Sequence, residues 1–160
     1  MLQVKLLTVG KLKEKYFRDC CGEYEKRLGR YLKLTVMEVA DERAPERLSE
    51  AEIHQVTERE GEKLLSKVAP EDYLFALCID GKSYDSEGWA EELARLQSRG
   101  VSRMAFAIGG SHGLSPGVRD RADAKLSFSS FTFGHQMMRC IFLEQLYRAM
   151  KIGAGEAYHK

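Results

Sequence analysis

Three short stretches hold the residues best suited to chemistry. Ile108-Gly109-Gly110-Ser111-His112-Gly113-Leu114-Ser115-Pro116 sets three glycines within five residues, directly after the apolar run Met104-Ala105-Phe106-Ala107. Ser127-Phe128-Ser129-Ser130-Phe131-Thr132-Phe133-Gly134-His135 alternates aromatic rings with small hydroxyls. Gly153-Ala154-Gly155 leads into a tail that carries Tyr158, His159 and Lys160. Glycines at the end of a strand let a ligand approach the backbone closely, although a purely structural strand-to-helix turn makes the same demand. A phosphate loop would need a lysine next to its last glycine, and no lysine lies between Gly109 and Lys125. A dinucleotide fingerprint would be G-x-G-x-x-G near the first strand, with an acid about 20 residues on. Here the spacing is G-G-x-x-G and it comes late. The loop therefore suits a neutral or positively charged ligand, and the aromatic stretch offers a slot for a purine ring whose edge hydroxyls and backbone groups can read.

Titratable candidates are few. His135 begins a helix beside the aromatic stretch, and Arg139 lies one turn further on, where its guanidinium can bind a phosphate, hold a planar ligand or form an intersubunit salt bridge. His112 reads as a turn or surface residue, and His54 lies on an acidic helix far from the other motifs. His159 offers an imidazole with an ordinary pKa of about 6.5. Cys20, Cys21, Cys78 and Cys140 form no C-x-x-C pair and no metal-ligand spacing with histidine, so they read as reduced thiols filling a core.

The elements that must position these groups follow from periodicity. Leu2–Val9 reads as a strand closed by Gly10, and Phe17, Cys20, Cys21, Tyr24, Leu28 and Tyr31 recur at helical spacing. Leu34–Val39 is a second strand. Ser49-Glu50-Ala51-Glu52 is a capping box that opens a helix running to about Lys67. Tyr73–Ile79 is a short apolar run, as in a strand buried on both faces, and Asp80-Gly81 then turns the chain. A helix over about Glu87–Gln97, a strand over Met104–Ile108, a helix capped at Ser115-Pro116, a strand over Lys125–Phe128 and a helix from His135 to about Ile152 complete the chain. Strands alternating with helices predict an α/β protein with a largely parallel sheet, whose ligands bind at the carboxyl ends of the strands. Leu77–Gly81, the glycine loop and Ser127–Gly134 are three such ends. The last helix is apolar nearly all round, which calls for cover on every side. We read that cover as a second copy of the chain, with Phe142 pointing outward.

The 160 residues form one expected domain, long enough to bury roughly 70% of the unfolded surface. The net charge is +1, with 44% hydrophobic residues and 31% charged, so no global field marks a nucleic-acid binder. Locally, Lys11, Lys13, Lys15, Arg18, Lys26, Arg27, Arg30 and Lys33 crowd one segment, while Ser49–Glu62 is rich in glutamate. A basic face on a nearly neutral protein is compatible with that pattern, as is an ordinary solvated helix. No run has transmembrane length and the first residues lack signal-peptide architecture, which points to a cytoplasmic protein.

Ile-Gly-Gly-Ser-His-Gly-Leu-Ser, Leu-Ser-Phe-Ser-Ser-Phe-Thr-Phe-Gly-His-Gln-Met-Met-Arg, Glu-Gln-Leu-Tyr-Arg-Ala and the terminal Gly-Glu-Ala-Tyr-His-Lys together resemble the ribosomal RNA large subunit methyltransferase H family of the SPOUT superfamily. The N-terminal Val-Gly-Lys-Leu-Lys-Glu-Lys-Tyr and Glu-Tyr-Glu-Lys-Arg-Leu extend the resemblance over essentially the whole chain. It implies an α/β knot fold with a C-terminal trefoil knot, a homodimer, and S-adenosylmethionine as cofactor. It also implies methylation of N3 of a pseudouridine in large-subunit (23S) ribosomal RNA, with the assembled ribosome as the expected form of the substrate. By matching position, the cofactor contacts are Leu77, Gly109, Phe128, Ser129, Ser130, Phe131, Thr132 and Phe133, and His135, Arg139, Tyr158 and His159 are the candidates for catalysis. No metal and no membrane are expected. Gly134 departs from the pattern, which often has proline there. The competing readings are a non-catalytic ribosome-binding factor that uses the same basic face and, more remotely, a nucleotide-dependent oxidoreductase.

Overall fold

A computed structural model describes residues 1–42 and 46–157. Ten elements follow one another: β1 (Leu2–Val9), α1 (Lys15–Leu28), β2 (Leu32–Val39), α2 (Glu50–Leu65), β3 (Tyr73–Ser83), α3 (Ser86–Ser98), β4 (Arg103–Ile108), α4 (Pro116–Arg121), β5 (Ala124–Ser127) and α5 (His135–Gly153). The strands form one five-stranded sheet in the order β2-β1-β4-β3-β5, and every ladder is parallel. The α/β architecture expected from the alternation is the one observed.

Alternation along the central strands divides the core in two. Val4, Leu6, Phe75, Met104, Phe106 and Ile108 face the layer of α1, α3 and α5, whereas Leu7, Val9, Leu74, Ala105 and Ala107 face α2 and α4. The first side is filled by rings: Phe75 and Phe106 stack at 4.7 Å, and Trp89 and Phe142 pack around them. The second is built from aliphatic residues without rings, and α2 presses so closely on the start of α4 that a Cβ at Gly61 would lie 2.1 Å from Ser115 Oγ.

The helix starts have local causes. Ser49 accepts from Glu52 N and the Glu52 side chain accepts from Ser49 N, closing the capping box. Asp85 caps α3 through Gly88 N at 2.7 Å, and Ser115 caps α4 with Pro116 at its first position.

Two expectations are corrected. Asp80-Gly81 does not end the third strand. Leu77 and Lys82 both pair with Leu126, so the residues between them bulge from β3, which continues to Ser83. Gly81 is required there because a Cβ would lie 2.8 Å from the backbone of Lys125 and Leu126. Phe142 is not outward: it is 0% exposed, packed between Phe106 and Phe128. α5 is covered by α1 on one flank, α3 on the other and β4 beneath, so most of its apolar circumference is buried within the chain itself. Met137, 46% exposed, is what remains open near its start.

Cys21 and Cys140 meet between α1 and α5 with their Sγ atoms 3.3 Å apart, and burial with the neighbouring thiol pushes the Cys21 thiol well up. Both are buried in the core. Among the described residues, no helix is long and apolar enough to cross a membrane.

Candidate functional site

The carboxyl ends of β3, β4 and β5 surround a cavity of about 550 Å³, within the range of small-molecule sites. The β3 bulge gives it Leu77, Cys78, Ile79 and Asp80. The loop after β4 gives Gly109, Gly110, Ser111, Gly113 and Leu114. The segment after β5 gives Phe128, Ser129, Phe131, Thr132 and Phe133, and His135 and Met138 of α5 close the wall. The three strand ends singled out in the sequence therefore meet at one place. Of the cofactor positions taken from the resemblance, all but Ser130 line this cavity.

The glycine loop owes its composition to itself. A Cβ at Gly109 would lie 2.5 Å from Gly113 C, 2.6 Å from Gly113 O and 2.9 Å from Leu114 N, which no relaxation of a flexible side chain could relieve. Gly113 has φ +80°, and its N–H donates to Gly110 O at 3.1 Å. The backbone that approaches Gly109 most closely is thus the loop's own return, and the ligand meets a turn already shaped.

The facing segment is held more lightly. Ser127 Oγ donates to Ser129 O and Phe131 N donates to Ser129 Oγ, while the Phe131 ring is 80% exposed. Gly134 then leads into α5 with φ −57° and ψ 145°.

Two opposite charges line the cavity, Asp80 and Arg119, and they pair at 2.6 Å. The Arg119 guanidinium holds the Asp80 carboxyl below the usual carboxylate range. Burial raises the Cys78 thiol, which leaves it neutral. His135 stands against Gly10, where a Cβ would be 3.6 Å from its Cε1. Burial, then the Arg139 and Lys13 charges, depress its pKa, so its imidazole is neutral at pH 7. With Asp80 and Arg119 paired and no lysine among the described lining residues, the wall suits a ligand without phosphate. A sulfonium compound with a purine ring, such as S-adenosylmethionine, fits that donor set.

Arg139 lies elsewhere than expected. It is 2% exposed, and its guanidinium donates to Glu38 Oε2 at 2.8 Å, Thr8 Oγ1 at 2.9 Å and Gly10 O at 3.2 Å. In place of an RNA phosphate or an intersubunit pair, it ties the start of α5 to the ends of β1 and β2, directly behind His135. Its partners lie more than 100 residues away in sequence, so no local pattern marks them. His54 pairs with Glu58 on the exposed face of α2, and His112 is an exposed turn residue that borders a different cavity. Tyr158 and His159 lie outside the described residues. Sequence reasoning missed Met138 and the Asp80–Arg119 pair; the pair joins β3 to α4 through space and leaves no spacing signal.

Residues 2–159 match the model of a family described as "Predicted SPOUT methyltransferase". A protein of Exiguobacterium sibiricum named ribosomal RNA large subunit methyltransferase H is 51% identical over 159 residues, spanning 99% of this chain and 100% of that one. Among solved structures, a probable methylase family protein from Haemophilus influenzae Rd KW20 superposes with a TM-score of 0.53 at 10% identity, over 99% of this chain and 70% of that chain, a likeness of fold alone.

Proposed function

Because the chain belongs to the SPOUT methyltransferase family, we propose that it transfers a methyl group from S-adenosylmethionine to large-subunit ribosomal RNA, at N3 of a pseudouridine. One observation carries this reading: the three strand-end segments that resemble the family's cofactor motifs converge on one cavity whose charges cancel. Membership also implies the superfamily's knotted C-terminal segment and a homodimer, for which Phe131, Phe133 and Met137 supply exposed apolar surface beside the cavity. The whole chain acts in this reading as one SPOUT domain.

Leu77, Gly109, Phe128, Ser129, Phe131, Thr132 and Phe133 would hold the cofactor, Gly109 by shaping the loop and the rings by enclosing the purine. Bound S-adenosylmethionine supplies an activated methyl group on a sulfonium centre. The protein's task is then alignment, which can supply roughly 7–11 kcal/mol of the barrier, and removal of the N3 proton. His135 is the group we assign to that proton, because it is neutral, borders the cavity and is kept in place from behind by the Arg139 clamp. Arg139 acts as a positioning residue. Tyr158 and His159 remain candidates for contact with the base, and a cytoplasmic setting and the assembled ribosome follow from the substrate.

Calorimetry with S-adenosylmethionine, beside methyl transfer to undermodified large ribosomal subunits, tests the reading. We expect saturable binding and transfer; absence of binding would favour a non-catalytic RNA-binding factor. For a base whose pKa is depressed, the neutral form persists below the ordinary histidine pKa of about 6.5. Transfer should therefore show an acid limb whose midpoint lies below pH 6.5. His135→Gln should lower transfer ~10²-fold and erase that acid limb, with cofactor affinity nearly unchanged. An acid limb that persists in the variant would assign the proton to another group.

A further inference from the structure

A second cavity, of about 540 Å³, lies on the far side of the glycine loop. It shares three residues with the first: Gly110, Ser111 and His135 line both. The wall between the two chambers is thus one turn of backbone and the imidazole assigned to proton removal. The second chamber differs sharply in chemistry: Asp41, Glu42 and Glu46 line it beside two lysines and Glu60, with Glu42 paired to Lys63. Lys11 and Lys13 stand exposed at its edge and make no ion pair among the described residues, on a loop that Arg18 pins by donating to Leu12 O and Lys13 O. Glu60 lines its floor, although it sits on a helix whose glutamates otherwise read as a solvated face.

Glu60 is 5% exposed. Its Oε2 accepts from Glu42 N at 3.1 Å, whereas Oε1 is buried with no hydrogen-bond partner among the described residues. That oxygen sits beneath the shared wall: a Cβ on Gly110 would lie 3.5 Å from it. A buried acceptor without a donor is costly, and native proteins rarely keep one without use.

We propose that this second chamber receives the target base and that Glu60 Oε1 accepts an N–H from it, selecting pseudouridine over uridine. The proposal rests on the methyltransferase reading and names the recognition element of that site. A uracil ring joined to ribose through carbon keeps both ring N–H groups. When N3 gives up its proton to His135 and takes the methyl group, N1–H remains as a donor. Uridine is joined through N1 and has no such donor, so it leaves Oε1 unpaired. Burial holds the Glu60 carboxyl above the usual carboxylate range; an arriving N–H favours its charged, accepting form. Lys11 and Lys13 suit the phosphates on either side of the base.

The test compares methyl transfer to two large-subunit preparations, with pseudouridine or uridine at the target position. Binding of the same two RNAs supplies the ratio where turnover on uridine is too slow to read. The wild type should prefer pseudouridine by ~10²-fold or more, as expected where a missing hydroxyl or amine leaves a buried group unpaired. Glu60→Leu should lose ~10²-fold on pseudouridine, change less than about threefold on uridine and keep its cofactor affinity, so that the ratio collapses. Glu60→Gln has one carbonyl oxygen where the carboxylate has two, so it serves the base only by turning its amide nitrogen toward Glu42 N, and should restore part of the preference. Equal losses on both RNAs, or an intact ratio in Glu60→Leu, would overturn the assignment. A wild type that transfers to neither RNA would overturn the methyltransferase reading together with it.

Discussion

The two segments that face each other across the first cavity, 109–114 and 128–134, are built on opposite principles. The glycine loop is folded onto itself: Gly109 touches the backbone of Gly113 and Leu114, and a bridge joins Gly110 to Gly113. The aromatic segment carries Phe131 and Phe133 outward and has no comparable closure. One presents a shape fixed by the chain; the other presents surface awaiting an occupant. Glycine content therefore marks rigidity here, and exposed rings mark the place where binding supplies the order.

The largest effect should come from breaking the first principle. Gly109→Val forces a branched side chain into backbone at 2.5 Å, and overpacking of this kind costs about 1–3 kcal/mol. We expect a lowered melting temperature and loss of S-adenosylmethionine binding together, read by thermal denaturation and calorimetry. Lost binding at an unchanged melting temperature would mean that the ligand, and not the loop's return, needs the space at Gly109.

Phe131→Ala should do the reverse. An exposed ring contributes within about ±0.5 kcal/mol to stability, so the melting temperature should stay put while cofactor affinity falls ~10-fold, an aromatic contact being worth roughly 0.5–1.5 kcal/mol. Unchanged affinity would remove the ring from the binding surface.

The smallest effect sharpens the comparison. Gly134 has φ −57°, close to the proline value, and a Cβ there meets nothing within 4 Å. Gly134→Pro should raise stability by about 0.4–1 kcal/mol by restricting the unfolded chain, seen as a melting temperature a few degrees higher. A lower one would show that the segment needs the glycine's freedom.

Much of this was legible in the sequence because its causes are local. The capping box at Ser49, the Ser115-Pro116 start and the apolar strands each state their structure within a few residues, and three strand ends in a parallel sheet must share an edge. What was missed depends on distance. Asp80-Gly81 looks like a turn, yet Gly81 lies so close to β5 that a Cβ there would meet its backbone at 2.8 Å, and the strand resumes. Arg139 looks like an RNA contact until Thr8 and Glu38 are brought beside it. Phe142 looks outward in a helix that is apolar all round, because periodicity cannot say that α1 and α3 both flank it. Glu60 hides among glutamates that do face water.

The place of α5 also governs how the chain can come off the ribosome that makes it. Its contacts reach almost the whole length back: Arg139 to Thr8, Cys140 to Cys21, and Glu156 to Tyr31 at 2.8 Å. Closing loops of this size is slow relative to forming local turns. Until the final helix has emerged, the inner face of α1 has no lid, and β4 cannot have its full packing. A nascent chain halted before residue 135 therefore exposes the ring-filled half of its core, and the fold is secured only once α5 has been made.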